Sequence, residues 1–425
     1  MKVSTQKWYA RADYAGTAII LAFVYMVYYA WLLRTTFAND LSAIYAAGLA
    51  VAAGIPDAMY DAGPYVLGTG TPERVAALLD AAGIKSNLTP PYLYPPIWAY
   101  LMAPATRVME IQTFFNIMLA IQAFMLGLMP WMGYRIVRPK RLPAPAWLAI
   151  AFALLITSTP TLTAIIQNQL QMTVTFVTIL SLLAFARGKS VTAGIILGLA
   201  AALKISPTFF VLLFIIKRDM RATLAMVISS LSLLALSIAL GGVQLHLTML
   251  ERLGTLDEVV LISKVNFSPE AAAYELRRLI LDIPAEASRL FTFPVLDAPA
   301  WVSAIPKVGL LLTLGTLIVT QIRRPQPFGF QILYLGLAVA LFGPLSWSHY
   351  FILPMMFFPV LFDDFRTRTA MLWVGVFAII HLSDVFFIIN SVSTEYIWSQ
   401  MPSTAYFLLL LGTLLVVAVK RAREA

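Results

Sequence analysis

The stretch Ala193-Gly194-Ile195-Ile196-Leu197-Gly198-Leu199-Ala200-Ala201-Ala202-Leu203-Lys204-Ile205-Ser206-Pro207 occupies the centre of an apolar segment, 191–217. That segment starts beside Gly188-Lys189 and ends beside Lys217-Arg218. Basic residues favour the cytoplasmic side of a membrane, so both ends of the segment are expected on that side. Each arm is too short to cross a bilayer alone, and a proline interrupts helical hydrogen bonding. The pattern therefore predicts two half-length helices that meet at Leu203–Pro207, an arrangement that lines cavities in membrane proteins.

The composition of the whole chain is that of a polytopic membrane protein. Of its 425 residues, 60% are hydrophobic and 12% are charged, and the mean hydropathy is +0.82, which excludes an ordinary soluble domain. The chain has no cysteine, which excludes disulfides, a thiolate nucleophile and a thiolate metal site. The net charge of +9 is explained by basic cytoplasmic loops and does not require a nucleic-acid partner.

Basic and apolar segments alternate along the chain, which sets the predicted orientation. Lys2, Lys7 and Arg11 precede an apolar run that is too long for a signal-peptide core, so we expect an uncleaved first span. Short loops assigned to the cytoplasm hold most of the 30 Lys and Arg residues, and both termini fall on that side. The twelve predicted spans lie near 14–34, 111–134, 143–160, 169–186, 191–205, 206–217, 221–241, 302–322, 328–343, 349–362, 369–389 and 403–420. The predicted class is an all-α polytopic membrane protein.

Two predicted outside loops are long enough to fold, and the whole chain, 1–425, reads as one membrane domain without internal repeats. In the first loop, 35–110, Thr71 and Pro72 have the pattern of a helix N-cap followed by proline at the first helical position. In the second loop, 242–301, Ser268-Pro269 repeats that pattern, and an amphipathic interfacial helix is expected to follow.

Asp40 is the first candidate for chemistry, because it follows the first span closely and a carboxylate beside a membrane is costly to desolvate. One interpretation makes Asn39-Asp40 the N-cap of a helix, Leu41–Ala53. The other makes the carboxylate a general base for a sugar hydroxyl. The two interpretations do not exclude each other.

Lys204 and His349 are predicted at the same outer level of the membrane as Asp40. Lys204 stands at the tip of the broken hairpin, where it can bind a phosphate at headgroup depth or extend to the interface. His349 follows Ser346-Trp347-Ser348 and can donate to a phosphate or serve structurally. Since Asp57 and Asp61 are the nearest approach to a carboxylate pair, we expect no metal site and no cofactor.

Five motifs resemble those of the family 87 glycosyltransferases, within the integral-membrane C superfamily. They are Asp40-Leu41 with Tyr45 and Ala47-Gly48, Tyr94-Pro95-Pro96, Asn168-Gln169, Ala193 to Pro207, and Ser346-Trp347-Ser348-His349. Asn266-Phe267-Ser268 resembles an Asn-x-Ser in the long outside loop. At Asn168 the chain departs from the family, which usually has Gly there.

The resemblance implies a lipid-linked sugar donor and an inverting transfer. The donor would be a polyprenyl-phosphate hexose, often mannose, with Asp40 as base and Lys204 and His349 on the donor phosphate. The acceptor would be a lipid or a glycan at the outer face of a bacterial inner membrane, with no nucleic acid and no metal involved. Candidate contacts to sugar or acceptor are Asn39, Tyr45, Tyr94, Asn168, Gln169, Trp347 and Asn266.

Two rival classes stay open from the sequence. A transporter or flippase of lipid-linked glycans also uses broken helices, although the candidate polar groups here gather at one face. A glycan polymerase or ligase would take a diphosphate-linked oligosaccharide donor instead of a monophosphate-linked monosaccharide.

Overall fold

The computed structural model describes residues 14–62, 70–85, 88–283, 292–343, 345–392, 395 and 397–424. Outside the described residues lie Lys2, Lys7 and Arg11, which precede the first span, and Pro344, which lies beside the late motif. The first nine α-helices are α1 (Ala15–Leu32), α2 (Asn39–Ala52), α3 (Glu73–Ala81), α4 (Pro96–Val108), α5 (Ile111–Val137), α6 (Ala144–Thr157), α7 (Thr159–Ile166), α8 (Gln171–Ala186) and α9 (Ser190–Leu203). The next ten are α10 (Val211–Ile216), α11 (Met220–Gly254), α12 (Pro269–Ile280), α13 (Ala300–Arg323), α14 (Phe328–Phe342), α15 (Ile352–Met356), α16 (Leu361–Asp364), α17 (Thr367–Ile380), α18 (Ser383–Val392) and α19 (Ile397–Arg423).

Long apolar helices confirm a helical membrane protein. Within the described residues, five helices are long and apolar enough to cross a bilayer, namely α1, α5, α11, α13 and α19. The number rises to six if α7 and α8 are counted as one bent span. The count of twelve therefore stays a prediction.

Several predicted spans are broken or differ in length, and the breaks coincide with proline and glycine. Predicted span 206–217 begins with a 3₁₀ turn, Ser206–Phe210, before α10. Predicted span 349–362 contains two further 3₁₀ turns, Ser348–Phe351 and Phe358–Val360. The span expected at 221–241 runs on as α11, which is kinked at Gly242, where φ is 77°. Only glycine adopts such an angle without strain.

The predicted broken hairpin is present. Helix α9 ends at Leu203, and after Lys204 and Ile205 the chain turns into Ser206–Phe210 and α10. The glycines of α9 lie against α11: a Cβ on Gly194 would meet the Ala222 carbonyl oxygen, and one on Gly198 would lie 2.7 Å from Ser229 Cβ. The small residues thus let the two helices approach closely.

A second break, between α7 and α8, was not predicted. The two helices meet at an angle of 119° across residues 167–170. One predicted span ends at residue 160 and the next begins at residue 169, so the prediction does not include α7 as a separate helix. This bend carries Asn168 and Gln169 into the protein, where both are buried.

The first outside loop folds on the helical bundle through α2, α3 and α4. The expected cap of α3 is wrong by one position, because Pro72 occupies the cap and the Thr71 hydroxyl accepts a hydrogen bond from the Thr89 amide at 2.9 Å. In the second loop, the Ser268 hydroxyl accepts a hydrogen bond from the Ala271 amide at 3.2 Å, which confirms the predicted cap of α12.

The second outside loop also corrects the all-α prediction. Strands β1 (Val260–Ser263) and β2 (Thr292–Val295) form an antiparallel pair, with Val260 opposite Val295. Helix α12 is amphipathic, but its charged residues Glu275 and Arg278 are buried and its apolar residue Ile280 is 72% exposed. The described part of the chain is therefore mostly helical, with one two-stranded sheet.

Helix α14 lies at the centre of the bundle and anchors the late motif. All residues of α14 from Gly329 to Phe342 are buried. Beyond it, the Ser346 carbonyl accepts a hydrogen bond from the Phe267 amide at 2.9 Å, and the Val265 carbonyl accepts one from the Ser348 amide at 2.8 Å. These bonds tie the second outside loop to the turn that carries His349.

Candidate functional site

Asp40 lies in the first turn of α2, and it does not cap the helix. The helix begins at Asn39, one residue before Asp40, and its cap position is Ala38, without a side-chain cap. The N-cap interpretation of Asn39-Asp40 is therefore wrong. Instead, Asp40 Oδ2 accepts a hydrogen bond from Gln169 Nε2 at 2.5 Å. The carboxylate thus meets the bend between α7 and α8.

The surroundings of Asp40 suit a group that exchanges a proton near neutral pH. Burial raises the pKa of the Asp40 carboxyl to about 6, while the Lys204 ammonium and the Gln169 amide act in the opposite direction. A carboxylate with this pKa is ionised at pH 7 and is more basic than an exposed one. These are the properties of a general base.

Lys204 lies at the end of α9 in an extended backbone conformation, with φ −158° and ψ 144°. Its Nζ lies 4.2 Å from the centroid of the Tyr350 ring. The side chain is half-buried and packs its charge on an aromatic face. This position favours a binding role over extension to the interface.

His349 is buried in the 3₁₀ turn Ser348–Phe351, beside the same tyrosine. Its ring meets Tyr350 edge to face, with centroids 4.9 Å apart. His349 Nε2 is buried and has no hydrogen-bond partner in the described part of the chain. Because a buried polar atom is costly to leave without a partner, this nitrogen is suited to bind a ligand oxygen.

Tyr350 is the site residue that sequence reasoning missed. It contacts Lys204 and His349, and the Asp40 charge acts on it as well. The available signal was its place directly after the Ser-Trp-Ser-His motif. An aromatic residue in an apolar run is too common to single out without the fold.

Tyr94 and Gln169 join Asp40 in one hydrogen-bonded chain. The Tyr94 hydroxyl donates to Gln169 Oε1 at 3.2 Å, at the opposite end of the amide that donates to Asp40. Asn39 precedes Asp40 in the same helical turn, and half-exposed Trp347 pairs with Asn266 beside the turn of His349. The hydrogen bonds of Tyr94 and Gln169 place these two side chains directly beside Asp40.

Three residues predicted to contact sugar or acceptor have side chains that are instead hydrogen-bonded to the protein backbone. The Tyr45 hydroxyl donates to the Met109 carbonyl at 2.7 Å. Asn266 donates to the Leu261 carbonyl at 2.6 Å and accepts from the Ser268 amide at 3.0 Å. We therefore leave Tyr45 and Asn266 out of the proposed site.

Asn168, the third of these, has a backbone role. Its φ is 49°, in the left-handed region, and its amide donates to the Phe115 carbonyl at 2.8 Å. Asparagine tolerates this region better than most residues, and glycine tolerates it best. The departure from the family's glycine thus keeps the backbone conformation.

The two carboxylates nearest to a metal-ligand pair face a common cation. Asp57 lies 2.7 Å and Asp61 lies 3.7 Å from the Arg74 guanidinium, on the exposed side of the first outside loop. Independence of metal stays a prediction.

Comparison with known families decides the class of the protein. The profile of glycosyltransferase family 87 matches residues 92–346, more than half of the chain. The chain belongs to glycosyltransferase family 87. A search of curated proteins found no match. The family 87 match includes Tyr94, Gln169 and Lys204, whereas Asp40 and His349 lie outside it. Membership makes this membrane protein a glycosyltransferase.

Proposed function

We propose that the protein transfers one hexose, mannose being the first candidate, from a polyprenyl-phosphate donor to a lipid or glycan acceptor. The observation that carries this proposal is the half-buried Asp40 carboxylate, with Lys204 acting on it and His349 near that lysine. One group can accept a proton, and the other two can hold an anion. That combination suits a single inverting displacement.

The reaction needs a base on one side of the sugar and positive charge on the other. Asp40 takes the proton of the acceptor hydroxyl while the acceptor oxygen attacks the anomeric carbon. The bond from that carbon to the phosphate oxygen breaks, and its electrons leave with the polyprenyl phosphate. Lys204 and the unpartnered Nε2 of His349 stabilise the negative charge that develops there.

The proposed setting is a bacterial inner membrane, with both termini in the cytoplasm and the site at the outer face. Support comes from the apolar helices and from the basic loops of the sequence. The site groups come from α2, the end of α9 and the turn at Ser348–Phe351, all predicted at the outer level.

A donor panel tests the proposed function directly. Purified protein is incubated with polyprenyl-phosphate mannose, glucose and galactose and with a diphosphate-linked oligosaccharide, and products are read by mass spectrometry. We expect one added hexose from a monophosphate donor. Transfer of the oligosaccharide alone would identify a polymerase or ligase. Movement of donor across vesicles without any product would identify a flippase.

Variants of two of the site residues, Asp40 and Lys204, test the division of roles. Asp40→Asn keeps the shape of the side chain and removes the base, so turnover should fall by about 100-fold or more. Lys204→Met should raise the apparent KM for the donor, since it keeps most of the apolar stem and loses the charge. Near-normal turnover in Asp40→Asn would refute the assignment of the base.

A further inference from the structure

The Gln169 amide is held at both ends, so its orientation is defined. Nε2 donates to Asp40 Oδ2, and Oε1 accepts from the Tyr94 hydroxyl at 3.2 Å. An amide has one donor end and one acceptor end, and an ionised carboxylate only accepts. Turning the amide over would bring Oε1 against the carboxylate and would leave the Tyr94 hydroxyl facing a donor. The Asp40 carboxylate therefore selects the orientation in which Nε2 faces it, and the Tyr94 hydroxyl stabilises that orientation by donating to Oε1.

The backbone of Gln169 is fixed by the bend that presents it. Its amide N–H donates to the Ala164 carbonyl at 2.8 Å, and its side chain is 8% exposed. The preceding residue, Asn168, has the left-handed backbone that turns the chain from α7 to α8. A side chain this buried, on a hydrogen-bonded turn, is well suited to position another group.

Tyr94 is fixed in turn by other tyrosines of the first outside loop. The Tyr60 hydroxyl donates to the Tyr94 carbonyl at 2.6 Å, and the Tyr92 hydroxyl donates to the Pro95 carbonyl at 2.7 Å. The rings of Tyr92 and Tyr94 pack with centroids 5.6 Å apart. A continuous chain of contacts thus runs from the outside loop to Asp40.

We propose that Tyr94 and Gln169 are positioning residues that hold Asp40 by Oδ2 and present Oδ1 to the acceptor hydroxyl. This role differs from the sugar contact that the sequence suggested for both residues. It rests on the proposed function, in which Asp40 is the base. The proton of the acceptor goes to Oδ1, and Gln169 keeps its own protons throughout.

The proposal predicts how the reaction depends on pH. The groups whose charges act on or with Asp40 are Lys204, Tyr94 and Tyr350, with His349 near Lys204. Burial raises the pKa of Asp40 to about 6, and the hydrogen bond from Gln169 lowers it. The base works when deprotonated, so activity falls as pH falls through this pKa. Removing the Gln169 donor raises the pKa of Asp40. The acid limb of the pH profile, where activity falls with falling pH, then moves to higher pH.

The test measures kcat and both KM values from pH 5 to pH 9 with the donor accepted in the panel. Gln169→Leu should move the acid limb upward by about one pH unit, because a hydrogen bond to a charged group is lost. Tyr94→Phe should move it less, and Gln169→Glu should move it more, since a second carboxylate then faces Asp40. The KM values should stay within about twofold of wild type.

A matched control makes the same chemical change on an exposed surface. Gln244 is exposed on α11, so Gln244→Leu should leave the pH profile unchanged. An unshifted acid limb in Gln169→Leu, with a raised KM for donor or acceptor, would overturn the positioning role and favour a sugar contact. If Gln169→Leu does not fold, Tyr94→Phe, which removes one hydroxyl, carries the same test.

The failure of this inference differs from the failure of the proposed function. If Asp40→Asn keeps near-normal activity and an acid limb at the wild-type pH, Asp40 is not the base and that part of the proposed function is wrong. If Asp40→Asn is inactive and the limb of Tyr94→Phe and Gln169→Leu stays at its wild-type pH, only the positioning role is overturned.

Discussion

At Asn168 a backbone angle, and not the side-chain chemistry, decides which residues fit. The residue has φ 49° at the bend between α7 and α8, and its side chain donates to the Phe115 carbonyl. From the sequence, the change from the family's glycine bears on sugar contacts. In the fold, both residues meet the same requirement for a left-handed conformation.

Substitutions at Asn168 should separate the angle from the hydrogen bond. Asn168→Gly keeps the conformation and loses the hydrogen bond, whereas Asn168→Ala loses the bond and adds backbone strain of about 1–2 kcal/mol. We expect Asn168→Ala to be the less stable variant by that margin in thermal unfolding in detergent. Equal stability of the two variants would contradict an important role for the angle.

At the scale of elements, close packing of α9 on α11 holds the hairpin that presents Lys204. Gly194 faces Ala222 with no space for a Cβ, while Gly412 on α19 faces open space. Alanine has the higher helix propensity at any exposed helical position, by about 1 kcal/mol. Gly412 therefore serves as the control for Gly194, because an added methyl group has space at Gly412 and has none at Gly194.

Gly194→Ala should destabilise the protein by about 1–3 kcal/mol, the usual cost of overpacking, and should weaken donor binding by displacing Lys204. Gly412→Ala should leave the melting temperature unchanged or raise it. Melting temperatures in one detergent, measured beside the donor KM, check both expectations. A Gly194→Ala protein as stable as wild type would show that α9 and α11 adapt to the added methyl group.

Helix α12 buries an ion cluster and leaves its apolar face outside. Arg278 donates to Glu275 at 3.2 and 3.1 Å and also pairs with Glu395, and Glu275 is 1% exposed. The exposed residues Leu276, Leu279 and Ile280 form the opposite face. An apolar outer face suits the membrane interface that the sequence analysis expected for this helix.

Arg278→Leu should cost about 3–5 kcal/mol, because it leaves Glu275 buried without its cation. The double variant Arg278→Leu with Glu275→Leu should recover most of that loss, since no uncompensated charge stays inside. Unfolding of the single and double variants in the same detergent measures both effects. A double variant no more stable than Arg278→Leu would refute this explanation.

For the whole molecule, the orientation in the membrane is the prediction to test first. The chain has no cysteine, so single cysteine variants report position without any background substitution. Asp80 is exposed on α3 in the predicted outer loop, and Lys140 is exposed between α5 and α6 in a predicted inner loop. The two positions therefore sample opposite sides of the proposed topology.

An impermeant maleimide added to intact spheroplasts should label Asp80→Cys and should not label Lys140→Cys. Permeabilised spheroplasts should label both, which confirms that both thiols are accessible. The reverse pattern in intact cells would place the site on the cytoplasmic face and would refute the proposed orientation.

Local sequence predicted the individual helices better than the contacts between distant elements. The proline at 207 and the run of small residues were enough to predict the hairpin, and Ser268-Pro269 was enough for the start of α12. The bend at Asn168 was missed because an asparagine between polar residues also fits a plain loop. The pairing of β1 with β2 was missed because each strand has only four residues.

Local patterns along the chain were enough to predict the membrane class, the broken hairpin and the family resemblance, because apolar length, proline and small-residue spacing act over short distances. They also selected Asp40, Lys204 and His349 as candidates. The tertiary structure brings Gln169, 129 residues from Asp40, to the Asp40 carboxylate, and it places Tyr350 in contact with both Lys204 and His349. Such contacts depend on how distant helices pack, and no local pattern of residues encodes that packing.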